Sequence, residues 1–284
     1  MNGFTLDELQ KYYDKCGISP MDFENFACEH KESCASKKKE NFSTAKEPYI
    51  GTEYQNNGSV PRLLFLSLDP GESNTDRKKK TIESVREDTL NWEPRKGDLN
   101  KHWYRTHQFA WHIFNKLNET CGLKLDIGKT DEEKKFTGND IHKIKPYFAH
   151  TNSAKCCQNN KGNTQAHKLL FQNCRKYILG EIKILSPHIL VTQGYYARLV
   201  MEEGDKKIIS SENISTASET KDDYMIIELN GRNIVWIHHY HPACYGYFKN
   251  NYGCYETYAE KVADFIGNNY PEFVKTSMAQ RKVC

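Results

Sequence analysis

Three residues able to do chemistry stand just past short apolar runs in this chain of 284 residues. Asp69 opens Asp69-Pro70-Gly71 after a run ending at Leu68, Thr151-Asn152 follows Tyr147-Phe148-Ala149, and His241 opens His241-Pro242-Ala243. A carboxamide carries a donor and an acceptor on one planar group, which matches the edge of a pyrimidine. An imidazole can donate to a carbonyl on which negative charge develops, and a carboxylate can orient water or stabilise a cationic sugar. Together they would serve cleavage of a base from deoxyribose. Each also has a plainer reading. Asp69 could be a turn residue or a helix cap, Asn152 could close a turn through its own side chain, and His241 could be structural or join His238 and His239 at a metal. Alternation along a strand sends His238 and His239 to opposite faces, which argues against that metal site.

The elements that would position these residues are legible as periodicity. Leu63 to Leu68, His188 to Thr192 and Ile234 to His238 are short, β-branched or aromatic, and bounded by turn formers, as strands buried on both faces are. Helical spacing recurs in Phe109, His112, Ile113 and Leu117, in Leu170, Tyr177, Ile178, Ile182 and Leu185, and in Tyr258, Val262, Phe265 and Ile266. Tyr224 to Leu229 precedes Asn230-Gly231, a hairpin turn, and adds an antiparallel edge strand. The expected fold is a three-layer α/β/α sandwich around a mainly parallel, four-stranded sheet, in which ligands bind beyond the carboxyl ends of the strands. Residues 72–102 and 203–223 read as surface loop insertions in a single domain spanning 1–284.

No apolar stretch approaches the roughly 20 residues of a membrane helix, and the start MNGFTLDELQ lacks a signal-peptide build, so a soluble, cytoplasmic monomer is expected. Forty Lys plus Arg against 37 Asp plus Glu leave a net charge of +3, too little to demand an anionic partner. Their placement says more: Lys37 to Lys39, Arg77 to Lys80, and Arg95, Lys96, Lys101 and Arg105 interleaved with Trp92, Trp103 and Tyr104. Cations mixed with aromatics suit a phosphate backbone with bases to stack, although a solvated loop face has the same composition. Ten cysteines are many for a reducing compartment, where clustered thiols point to metal or catalysis.

Taken in order, Ser67-Leu68-Asp69-Pro70-Gly71, Thr151-Asn152-Ser153-Ala154-Lys155-Cys156 and His238-His239-Tyr240-His241-Pro242-Ala243 resemble the motifs of the uracil-DNA glycosylase superfamily. They are most similar to its iron-sulfur-containing fourth family, where the motifs read Gly-Glu-Ala-Pro-Gly, Thr-Asn-Val-Val-Lys-Cys and His-Pro. The stretch from Ile184 to Gly194 resembles that family's helix end, Pro, apolar strand and Gly, so the likeness runs from about residue 60 to about 250. It implies a DNA glycosylase, acting on DNA as partner, with Asp69, Asn152 and His241 catalytic. Asp69 stands where the fourth family has Ala and the first family has its water-directing Asp, while Asn74 replaces an acid of the fourth family. Gly71 takes the place of the first family's Tyr against the pyrimidine C5, which leaves room for a substituted base, so uracil and a glucosylated cytosine, the latter in defence against phage, are both candidate substrates. A non-catalytic iron-sulfur nucleic-acid-binding protein is the other outcome.

The resemblance also implies a 4Fe-4S cluster, or in its place a structural zinc, on Cys156 and Cys174, with Cys28 and Cys34 supplied by residues 1–60. Cys157 and Cys16 are the competing choices, and buried thiols without metal are the plain alternative. Trp103 or Tyr104 would stack on the flipped base. Tyr245, Tyr247 or Phe248 would fill the gap left in the DNA, with Lys249 on a phosphate, unless these aromatics simply pack at a strand end.

Overall fold

A computed structural model describes residues 5–35, 42–55, 60–70, 77–95, 101–128, 136–158, 167–202, 204, 206–212, 224–229 and 231–269. Its helices are α1 (Leu6–Cys16), α2 (Lys31–Ala35), α3 (Thr52–Gln55), α4 (Ile82–Asn91), α5 (His102–Cys121), α6 (Gly138–Ile144), α7 (Lys168–Leu185), α8 (Tyr195–Glu202), α9 (Tyr245–Tyr252) and α10 (Tyr255–Asn269). Its strands are β1 (Phe42–Ser43), β2 (Tyr49–Ile50), β3 (Leu63–Ser67), β4 (Phe148–Asn152), β5 (Cys157–Gln158), β6 (Ile189–Gln193), β7 (Lys207–Glu212), β8 (Tyr224–Leu229) and β9 (Arg232–His239).

The main sheet has seven strands in the order β2-β4-β3-β6-β9-β8-β7. Four of them, β4, β3, β6 and β9, are parallel neighbours and form the expected centre. The expected count of four is corrected by antiparallel strands on both flanks: β2 beside β4, and β8 and β7 beyond β9. The β8–β9 hairpin forms as its Asn-Gly signal requires, with Gly231 in the left-handed region at φ 70°. The stretch 203–223 is not all loop, because β7 pairs with β8 there; Ile208 and Ile209 stay 54% and 47% exposed, as an outermost strand allows. The stretch 72–102 likewise carries α4, capped by the Thr81 side chain accepting from the Ser84 N–H.

Period-two alternation splits the strands between two cores. Phe65, Phe148, Val191 and Ile237 pack with α5 and α10, while Leu64, Leu66, Ala149, Leu190 and Trp236 pack with α1, α7 and α8. Helices therefore flank the sheet on both faces. Among the described residues no helix is long and apolar enough to cross a membrane.

Candidate functional site

The register of the parallel strands sets their last residues side by side. Ser67 is the partner of Asn152, and Gln193 that of His239. Beyond these ends the chain is tied down: the Ser153 and Ala154 N–H groups donate to the Ser67 and Leu68 carbonyls at 2.8 and 3.1 Å. Asp69 thus leaves β3 beside the turn that follows Asn152. Its Oδ2 accepts from the Cys157 thiol at 3.6 Å.

Ser67 is the hub of a polar network that the sequence reading did not single out. Its Oγ lies 2.9 Å from His102 Nε2, 2.9 Å from His150 Nε2 and 2.7 Å from Gln193 Oε1. A hydroxyl with one hydrogen and two lone pairs is saturated here if it donates to Gln193 and accepts from both imidazoles. That assignment places the proton of each ring on Nε2. Thr106, one helical turn beyond His102 on α5, also donates to Gln193 Oε1 at 3.2 Å. Helix α5 therefore seals the strand ends with the face carrying His102 and Thr106.

His241 joins this group by stacking. Its ring lies 4.8 Å from that of His102, at an interplanar angle of 7°. Burial lowers its pKa to about 4, so the ring is neutral near pH 7. Its Nδ1 accepts from the Ala243 N–H at 3.3 Å, which leaves the ring proton on Nε2, available to a ligand. His102 is lowered to about 3, first by burial and then by His241; His150 is lowered well below its ordinary value, again by burial first. His239 faces the other way from His238, against Phe109 and Phe248, and burial lowers it to about 4. His238 Nδ1 meets Thr192 Oγ1 at 3.1 Å, so the two rings occupy opposite faces and form no shared metal site.

These histidines tie stability to pH. Each has a folded-state pKa below 6.5, so the unfolded chain binds protons first as pH falls. The stability they confer is complete above about pH 6.5 and is lost progressively towards pH 4 to 3. Thermal unfolding midpoints measured from pH 8 to pH 4 should hold level and then drop below about pH 6.5; a flat profile through that window contradicts the assignment.

The aromatic residues sort differently from expectation. Trp103 stands at the site, its ring 4.9 Å from His150 and edge-on to Phe148. Tyr104 does not: it is 7% exposed, and its hydroxyl donates to the Phe136 carbonyl at 3.2 Å. One residue of helix turns the ring by about 100°, which carries Tyr104 into the core. Tyr245, on α9, lies under the Arg105 guanidinium at 3.9 Å and beside Tyr255 at 5.0 Å. Phe248 is 1% exposed, a core residue rather than a probe of DNA. Gly71 and the side chain of Tyr247 lie outside the described residues, as do Lys37 to Lys39. Lys80 is buried, with its Nζ 3.2 Å from Thr44 Oγ1, so it is no part of a basic face.

A second cluster sits apart from the strand ends. Cys28, Cys34, Cys156 and Cys174, all buried, line one small pocket with Phe42 and Tyr177. Asn173 donates to Cys34 Sγ at 3.2 Å, and the Lys155 N–H donates to Cys174 Sγ at 3.4 Å. Burial pushes all four thiols up, Cys174 to about 12, and neighbouring thiols add to it at Cys34, Cys156 and Cys174. Among the described residues no three His, Cys, Asp or Glu side chains are drawn together as the ligands of an ion. The four thiols nevertheless share one pocket, and N–H donors aimed at two of them suit sulfur that carries negative charge when bound to metal. Cys157, one residue from Cys156, turns to Asp69 instead, and Cys16 does not line the pocket.

Between the two clusters lies a buried ion pair. Lys155 Nζ is 3.0 and 3.2 Å from the Glu181 oxygens and 3.1 Å from Thr151 Oγ1. Both charged side chains are at most 2% exposed.

No protein-family model matches this chain, and no curated protein matches it in sequence.

Proposed function

We propose that the chain is a monofunctional DNA glycosylase, which flips a pyrimidine nucleotide out of DNA and hydrolyses its N-glycosidic bond to leave an abasic site. What supports this reading is that Asn152 ends the strand paired with the one leading into Asp69, and that Ser67 on that strand bonds His102, on whose ring His241 stacks. Crevices at that end of an open α/β sheet are where ligands bind. The helices on both faces suit the α/β/α layering of the superfamily that the motifs resemble.

In this reading the Asn152 carboxamide pairs with the base edge, beside Trp103 and the His102–His150 wall. The bond from the base to the sugar C1′ breaks with its electron pair going to the base. The neutral His241 donates from Nε2 towards the oxygen where that charge gathers. Asp69 holds a water against the cationic sugar; the water oxygen bonds to C1′ and its proton passes to solvent. Free base and an abasic sugar result. Purified protein incubated with single- and double-stranded oligonucleotides carrying uracil, hypoxanthine or C5-substituted cytosines should release one class of base. Tight binding across the whole panel with no abasic sites would favour a non-catalytic nucleic-acid-binding protein instead.

Cys28, Cys34, Cys156 and Cys174 would hold a 4Fe-4S cluster that clamps the N-terminal region to β5 and α7. Protein purified without oxygen should be brown and carry about four irons per chain. Cys174→Ser should lower both the colour and the iron content. Zinc in place of iron would move the assignment to a structural zinc, and a colourless, metal-free protein that stays folded and active would overturn it.

A further inference from the structure

A groove of about 240 Å³, partly open to solvent, runs between the first half of α7 and the start of α8. Lys168, Phe171, Gln172 and Arg175 line one wall, and Tyr195 and Tyr196 begin the other. Tyr196 lies flat on Phe171, with ring centroids 4.2 Å apart and planes at 7°. Tyr195, whose ring is 5.4 Å from that of Tyr196, is 64% exposed, the most exposed large apolar side chain described. Two cations line the groove, and none of its described lining residues carries a carboxylate.

The groove belongs to the same end of the sheet as Asp69 and His241. Helix α8 starts directly after β6, and Gly194 is the link. A Cβ at Gly194 would stand 3.2 Å from His241 Cβ and 3.3 Å from Leu68 Cδ2, and the residue is held at φ 96°. The chain entering the groove therefore runs against the candidate site without room for a side chain.

An exposed ring beside cations matches a nucleotide: base on the aromatic face, phosphate on the guanidinium or ammonium. We propose that the α7–α8 groove is a subsite for an unpaired nucleotide of the DNA strand, flanking the one that enters the site at His241. The strand's passage through the cleft rests on the base-excision reading. Recognition of single-stranded DNA by the groove does not.

The test is binding of an unmodified, fluorescently labelled oligothymidylate to the full-length protein, which needs no base release. Tyr195→Ala should weaken binding about fivefold to a hundredfold, the range of one lost base stack, and Tyr195→Trp should restore it. Lys168→Ala with Arg175→Ala should lower the slope of log affinity against log salt by about 1.4, as the loss of two phosphate contacts does. Ile208→Ala, at an exposed position on the outermost strand β7, is the control and should bind as the unaltered chain does. Unchanged binding by Tyr195→Ala, or no binding by the unaltered chain, overturns the subsite even if bases are excised. Weakened binding with no excision from any modified oligonucleotide would sustain the subsite and sink the glycosylase.

Discussion

Replacing Asp69 by Asn is expected to cut base release by about 10² to 10⁴-fold, the scale of a positioned acid–base group. Asn has the same shape and keeps an oxygen to accept from Cys157, which stands 3.6 Å from Asp69 Oδ2, so the loop after β3 should hold its form. What is lost is the negative charge that, on the base-excision reading, would face the sugar and orient water. DNA binding should persist or tighten slightly, since one negative charge leaves a surface that meets phosphates. Single-turnover release and DNA affinity, measured together on the same variant, separate the two effects. A matching loss in both would point to a collapsed loop rather than a missing catalytic group.

The largest effect on stability is expected at the Lys155–Glu181 pair. Lys155→Met leaves the Glu181 carboxylate buried without its cation, with Thr151 donating to it at 2.5 Å. Breaking a buried pair from one side costs about 3–5 kcal/mol, against a total stability of about 5–15 kcal/mol for a typical domain. Lys155→Met combined with Glu181→Leu removes both charges and should recover much of that loss. Lys155 lies between Asn152 and Cys156, so the single variant should loosen both the strand-end site and the thiol pocket. Urea unfolding of the two variants beside the unaltered chain checks this; equal stability of the single variant and the parent would contradict the burial described.

The centre of the sheet was legible because β3, β6 and β9 are short apolar runs bounded by turn formers, and the β8–β9 hairpin because Asn-Gly specifies its turn. Strands β2 and β7 were not. Tyr49–Ile50 is too short to show a period, and the alternation of Lys207–Glu212 is blurred by an irregular register between Ile208 and Ser210. Asp69, Asn152 and His241 could be picked out because each stands at or just past the end of a strand. Their neighbours could not: His102 meets Ser67 from 35 residues away and Gln193 from 91, contacts made only when α5 packs on the sheet. One signal was available, since Gln193 is followed by Gly194 at a strand end much as Asp69 is by Pro70. Cys28 and Cys34 were placed by resemblance, and the folded chain sets them in the same pocket as Cys156 and Cys174.

The most direct test of base excision is a single-turnover reaction on the best-bound modified oligonucleotide, with the released base identified by mass and abasic sites counted by alkaline cleavage. The account predicts one free base for each abasic site with the unaltered chain, and almost none with Asp69→Asn despite equal DNA binding. Equal yields from the two proteins, or abasic sites from neither, would contradict it.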